Sequence, residues 1–316
     1  MPTYPFDQHF SDTFERIFED DSTWALQNLF YYKNEEFVAE IFEKLGKCGF
    51  AETTVRHHLD VLERMAVDDL FELAVTENGD FCPAYVFLQL QKSREVFDAL
   101  SIFCSDANPM RRATAIEIMM RFPGATFKSE ATKIICDIAD FETNELVWEA
   151  LAYALAHLEV RSRSKYLAKW CTSIERDTRF AVAYSLGRLS TKAAIKSLVL
   201  LSQDSDDEVR SWSVCGLGSL TDLDTIELRA ALVARMDDPH EETRHEAILG
   251  LAKRRDMRVL AALKKALEDE SIWDMALKSA AELAAPELLP QLLELQNGFD
   301  SVYLERAIEA CRAAEQ

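Results

Sequence analysis

The stretch from Asp204 to Arg255 constrains this chain more than any other, because it contains one helical unit written twice. Laying Arg210 on Arg244 matches Gly216 to Gly250, Leu217 to Leu251 and Asp204 to Asp238. The same grammar recurs around Arg179 (Leu186, Gly187), Trp148 (Leu155, Ala156), Arg112 (Met119) and Ala276 (Leu283, Ala284), with anchors 36, 31, 31, 34 and 32 residues apart. Two helices per period of this length cannot bury an apolar stripe alone and do so only by stacking on their neighbours, which is the rule of an α-solenoid.

Each unit opens on an acidic residue six positions before its anchor: Asp106, Glu142, Asp204, Asp238 and Glu270, with Ser173 the exception. These carboxylates, together with Asn108-Pro109 and Asp238-Pro239, are expected to cap the second helices and to favour their positive ends. Small residues after the anchors, among them Ala115, Ala152, Ala183, Ser213, Gly216, Ala247, Gly250 and Ala280, are expected to let neighbouring helices approach closely. The anchor arginines Arg112, Arg179, Arg210 and Arg244 are expected to form a structural ladder with the acidic groups of adjacent loops, Asp106, Asp204 and Asp238 among them.

The Val-Arg-x-x-Ala-x-x-x-Leu-Gly grammar at Thr178-Arg179, Val209-Arg210 and Thr243-Arg244 resembles the HEAT repeats of phycobilisome lyase-like proteins, over roughly residues 100 to 285. The resemblance implies an all-α, right-handed α-solenoid of about seven HEAT-like helix pairs. Two further stretches are similar to bacterial HEAT-repeat immunity proteins of Rhs-type toxins: Phe103 to Asp106 followed by Arg111-Arg112, and Glu242 to Leu289. That resemblance implies a protein that neutralises a cognate toxin by stoichiometric binding.

Residues 1–91 are helical in pattern but depart from the repeat, and their Phe and Tyr density (Phe14, Phe18, Phe30, Phe37, Phe42 and others) points to an N-terminal helical cap. Residues 92–316 read as one continuous repeat array. Expected helices in the cap are 11–18, 22–32, 35–45, 52–65, 70–75 and 83–90, with a turn at 77–80. In the array, helix pairs are expected from Ser93–Cys104 with Asn108–Phe122 through to Pro286–Leu295 with Ser301–Ala313.

Composition narrows the function. The 316 residues carry 55 acidic and 35 basic side chains, a formal net charge of −20. Nucleic-acid binding depends on Lys and Arg neutralising phosphates, so such a surface is disfavoured and a basic protein partner is favoured. The same acidity also serves plain solubility. No basic, apolar leader opens the chain and no apolar run approaches a membrane span, so a cytoplasmic protein is expected. Seven scattered cysteines read as buried free thiols, neither a disulfide framework nor a metal motif.

No catalytic constellation stands out. Arg244-His245-Glu246-Ala247 resembles one His-Glu pair of deoxyhypusine hydroxylase, a HEAT-repeat metal enzyme, but Ser211-Trp212, Phe180-Ala181, Glu149-Ala150 and Ala113-Thr114 hold the equivalent positions, too few ligands for two metals. No metal or cofactor is expected. His57 and His58 read as surface residues. A lyase-like or DNA-glycosylase-like enzyme, and an assembly scaffold, stand as alternatives on the same fold. The candidate partner-binding residues are Trp148, Tyr153, Phe180, Tyr184, Trp212, His245 and Glu246, large or polar groups expected off the small-residue face of the second helices.

Overall fold

The structure is a computed structural model that describes residue 25 and residues 35–49, 52–76, 83–91, 93–122, 124–268, 274–296 and 301–314. The expected helices 11–18 and 22–32, the turns at 77–80 and 297–298, Cys82, Glu270 and Trp273, and the side chains of His57 and His58 lie outside the described residues. The described chain is all-α, without a strand, and falls into two compact units, Met1–Val160 and Arg161–Gln316. The boundary expected after residue 91 lies within the first unit.

In the first unit α1 (Glu35–Lys47), α2 (Glu52–Arg64), α3 (Val67–Thr76) and α4 (Pro83–Leu90) precede two helix pairs, α5 (Arg94–Phe103) with α6 (Pro109–Met120) and α7 (Ala125–Phe141) with α8 (Glu145–His157). The second helices of these pairs, α6 and α8, lie against each other. Both helices are rich in buried alanine, Ala113 and Ala115 on α6 and Ala150, Ala152 and Ala154 on α8, small residues that let helices approach closely. An aromatic knot of Phe97, Phe122 and Phe127, with centroids 4.9 to 5.6 Å apart, closes the space between α5 and the loop that enters α7.

The second unit repeats the pattern. First helices α9 (Ser164–Trp170), α11 (Lys192–Leu201), α13 (Ile226–Val233), α15 (Leu260–Ala266) and α17 (Leu289–Leu295) pair with second helices α10 (Arg176–Gly187), α12 (Asp207–Gly218), α14 (Glu241–Lys253), α16 (Asp274–Leu283) and α18 (Val302–Ala313). The second helices stack in sequence, α10 on α12 on α14 on α16 on α18, while α9, α11 and α13 form a companion layer. The leucine seven residues past each anchor fills that stack: Leu186, Leu217, Leu251 and Leu283 are all buried.

The glycines explain how tightly it closes. A Cβ added at Gly216 would lie 2.8 Å from the Gly187 Cα, and one at Gly250 would lie 2.4 Å from the Gly218 Cα. Gly216 and Gly250, each six residues past its anchor, thus each face the glycine eight past the preceding anchor, and the backbones touch at both places.

Local chemistry keeps Asn108-Pro109 as a cap, as expected, and corrects the others. The residue four before the anchor is the N-cap, not the acid six before it. Asn108, Asn144 and Asp206 occupy that position and accept from the backbone N–H of Met110, Leu146 and Val209. In the 238–241 stretch the N-cap is His240, without a side-chain cap, so Pro239 precedes the helix and does not begin it. Three first helices expected as single α-helices open instead with a 3-10 turn, at Arg161–Arg163, Met257–Val259 and Pro286–Leu288. Helices ending at His157, Lys253 and Leu283 are followed by Glu159, Arg255 and Ala284 at φ of 59°, 50° and 50°, the left-handed closing residue usually given to glycine.

Candidate functional site: a guanidinium ladder and an aromatic face

The acids six before the anchors have a different task from capping. Each turns its carboxylate onto the backbone two residues on: Asp106 accepts from Asn108 N–H, Asp204 from Asp206 N–H, Asp238 from His240 N–H, and Glu142 from both Thr143 and Asn144 N–H. This turn shapes the loop and leaves both oxygens of Glu142, Asp204 and Asp238 facing the preceding repeat, whereas the Asp106 carboxylate pairs with Arg111 five residues on.

There an arginine meets them. Arg112 donates through Nε and Nη2 to the two oxygens of Glu142 at 2.8 and 3.0 Å. Arg179 does the same to Asp204 at 2.7 and 3.0 Å, and Arg210 to Asp238 at 3.1 and 3.0 Å. The remaining nitrogen, Nη1, reaches back into the arginine's own loop. Arg112 donates to Asp106 O and Ala107 O, Arg179 to Ser173 O and Ile174 O, Arg210 to Asp204 O and Ser205 O, and Arg244 to Asp238 O and Pro239 O. The loop onto which Arg244 would reach forward carries Glu270, outside the described residues. Only the planar fork of arginine can serve two loops at once in this way.

The electrostatics follow. Burial alone would raise the carboxyl pKa of Glu142, Asp204 and Asp238, but the facing guanidinium and the loop N–H groups outweigh it, and all three sit below the ordinary carboxylate value. Asp238 is the most enclosed, with a side chain fully buried between Arg210 and Arg235.

Trp148 stands where the other anchors hold arginine, and its indole Nε1 donates at 3.0 Å to Glu142 O, six residues back. It performs the backward half of the arginine's work. Tyr153, on the same helix, is half-buried.

The remaining candidates lie in the second unit. Trp212 receives Tyr184 edge-on at 5.1 Å and Phe180 edge-on at 6.2 Å, so α10 and α12 present one joined aromatic face. Arg176 lies 4.9 Å over the Phe180 ring and pairs with Asp177 and Asp206. The three rings are half-buried, as are His245 and Glu246 one helix further on. Glu246 accepts from the Ser219 hydroxyl on α12's closing turn, and it faces Cys215, whose thiol is pushed up to about 12 by burial and by that carboxylate. The structure therefore joins Phe180, Tyr184 and Trp212 in one cluster and sets Glu246 in a separate Ser219–Cys215 contact.

Sequence reasoning missed Arg254. Its buried guanidinium donates to the carbonyls of Leu217, Gly218, Thr221 and Leu223, the orphan acceptors at the end of α12 and in the loop beyond, and to Gly250 O in the last turn of its own helix. Burial lowers its pKa. Arg229 joins it, spanning Asp224, Asp256 and Arg254 O. The signal was present as an arginine just past a helix end, where a cation meets free carbonyls. Among the described residues no three His, Cys, Asp or Glu are grouped to hold a metal, and no helix is long and apolar enough to cross a membrane.

Second helices stacked edge to edge, joined loop to loop by bidentate arginines, define a helical repeat protein of the HEAT class. Residues 229–312 match the family described as HEAT repeats. The chain belongs to the HEAT-repeat family that includes Protein YibA of Escherichia coli, to which it is 33% identical over 242 residues in strains K12 and O157:H7, spanning 74% of this chain and 86% of YibA. The X-ray structure of E. coli YibA is similar with a TM-score of 0.68 at 24% identity, covering 80% of this chain and 94% of that one. The crystal structure of an engineered protein gives 0.50 at 16% identity, covering 92% and 87%. Both structural likenesses are of fold.

Proposed function

We propose that this chain is a non-catalytic binding protein that holds a basic protein partner, and that the partner is a bacterial toxin which it neutralises in the cytoplasm. The observation that carries the reading is the aromatic face of Phe180, Tyr184 and Trp212, joined across two stacked helices in a chain of net charge −20. Large rings held rigidly by their neighbours lose little entropy on binding and make strong interface anchors. The surrounding negative field speeds the approach of a cationic partner and repels nucleic acid. HEAT repeats generally serve as protein-interaction modules, and the likeness of Phe103–Asp106 and Glu242–Leu289 to Rhs-type immunity proteins supplies the toxin.

The test is co-expression with the effector encoded beside the gene, together with calorimetric titration of the two purified proteins. Protection of the cells, one-to-one binding, and association that slows as salt rises are expected. Trp212→Ala, with its melting curve checked against the parent, should weaken binding at least about tenfold. Absence of any co-encoded effector that binds, or a preference for duplex DNA over protein, would overturn the proposal.

A further inference from the structure

A second surface lies in the other helical layer of the second unit. Between α11 and the loop that leads into α13 is a groove of about 550 Å³, walled by Ile195 and Val199 on one side and by Leu223 and Thr225 on the other. Its α11 wall is a single helical stripe, Lys192, Ile195, Lys196 and Val199, spaced three, one and three apart. The groove exists because residues 219–225 cross from α12 to α13 as loop, and α13 runs only from Ile226 to Val233, so this part of α11 is left without a covering helix. Ile226, beside the loop wall, is 85% exposed, and Leu200, next to Val199, is 50% exposed.

Most described arginines are engaged by carboxylates or carbonyls, yet Lys192 and Lys196, both exposed, have no ion-pair or hydrogen-bond partner among the described residues. The one carboxylate at the groove, Glu227, is occupied with the start of its own helix, where it engages the Thr225 hydroxyl and a backbone N–H that hold its pKa below the ordinary value. The result is an apolar trough edged by two unneutralised ammonium groups, in a protein whose formal net charge is −20.

We propose that this groove docks an amphipathic helical segment of a partner protein, with its apolar ridge laid along Ile195, Val199, Leu223 and Thr225 and acidic residues on one flank set against Lys192 and Lys196. A groove between elements that takes an apolar helical ridge is a recurrent recognition mode, and flanking charges fix its register and direction. The occupant's acidity is the discriminating property. The rest of the surface repels an acidic segment, so it can settle only where the lysines offset that field, whereas a basic segment is drawn to the acidic surface and finds like charge at this groove. The site is separate from the aromatic face and does not depend on it.

The test uses the full chain and two synthetic, end-blocked peptides with leucines at i, i+4 and i+7, one flanked by glutamates and its twin by lysines, titrated by fluorescence anisotropy in moderate salt. The glutamate peptide is expected to bind and its twin to bind at least about tenfold more weakly. In the double variant Lys192→Glu, Lys196→Glu the preference should invert; an acid at the first helical position suits the helix, and Lys196 is exposed, so the fold is kept. Val199→Asp, with circular dichroism and melting checked, should abolish binding of both. No binding of the glutamate peptide, equal binding of the twins, or a preference unmoved by the double variant would overturn the proposal.

Discussion

Replacing Gly250 with alanine tests whether backbone contact sets the spacing of the stacked helices. The new Cβ would sit 2.4 Å from the Gly218 Cα, 3.0 Å from Leu232 Cδ1 and 3.3 Å from the Gly218 carbonyl carbon. The first and last of these are backbone, so no rotamer change relieves them, and α12 and α14 must separate by about 1 Å to restore ordinary contact. Overpacking of this kind costs about 1 to 3 kcal/mol, and here the rigid partner puts it at the upper end. Alanine returns about 1 kcal/mol through its better helix propensity. The balance is a loss of about 2 kcal/mol, or a fall of roughly 4 to 8 °C in the melting midpoint of a unit this size. Gly187→Ala supplies the contrast, since its Cβ would meet Leu220 Cδ1 at 3.4 Å and the Gly216 Cα at 3.5 Å, ordinary contacts both. It should be neutral or stabilising by up to about 1 kcal/mol. Urea and thermal unfolding followed by circular dichroism would measure the pair, and equal destabilisation by the two substitutions would refute the reasoning.

Asp238→Ala strands Arg210 and Arg235 in a buried site; a loss of about 3 kcal/mol is expected in urea denaturation, less than the largest such effects because Arg210 keeps Asp207 and two carbonyls. On acidification, Glu142, Asp204 and Asp238 contribute stability that is full above the unfolded carboxylate values near about 4 and is lost as pH falls toward their depressed folded values. Melting midpoints should therefore drop steeply below about pH 4, and less steeply in Asp204→Asn, which has already given up one of these carboxylates. Cys104 and Cys215, both pushed up to about 12, should resist alkylation at pH 8 by mass spectrometry while the half-buried Cys48 and Cys136 are modified first. Arg255→Gly relieves a left-handed closing residue and should stabilise by about 0.5 to 1 kcal/mol in thermal melts.

Much of this architecture was legible in the repeat itself. The anchors, their leucines and their small residues place most helix ends within two residues, because burial against a neighbour repeats the same demand in every unit; exceptions are 129–140, which starts four residues earlier at Ala125, and 225–236, which ends three earlier at Val233. The 3-10 openings at Arg161, Met257 and Pro286 were not legible, since a single turn is too short for a period of 3.0 to be told from one of 3.6. The acids read as caps because sequence spacing gives distance from a helix start but not the path of the loop. That path folds the Glu142 and Asp204 carboxylates toward the preceding repeat and leaves Asn144 and Asp206 to cap. The aromatic cluster was legible only in part. Phe180, Tyr184 and Trp212 follow their anchors by one, five and two residues, but whether rings from adjacent repeats touch depends on helix spacing, which the glycines determine. Arg254 escaped because its five carbonyl partners belong to no periodic pattern.

The forked arginines also give the chain a grammar for changing length. Each grips the carbonyls behind it and the carboxylate ahead, so three junctions are written in the same terms, Arg112 to Glu142, Arg179 to Asp204, Arg210 to Asp238. Removing or duplicating a whole block would bring together ends that already know how to join, whereas one residue inserted between an acid and the anchor six places later would spoil two junctions at once. Proteins built this way can lengthen or shorten by copying units, while the count inside each loop stays fixed.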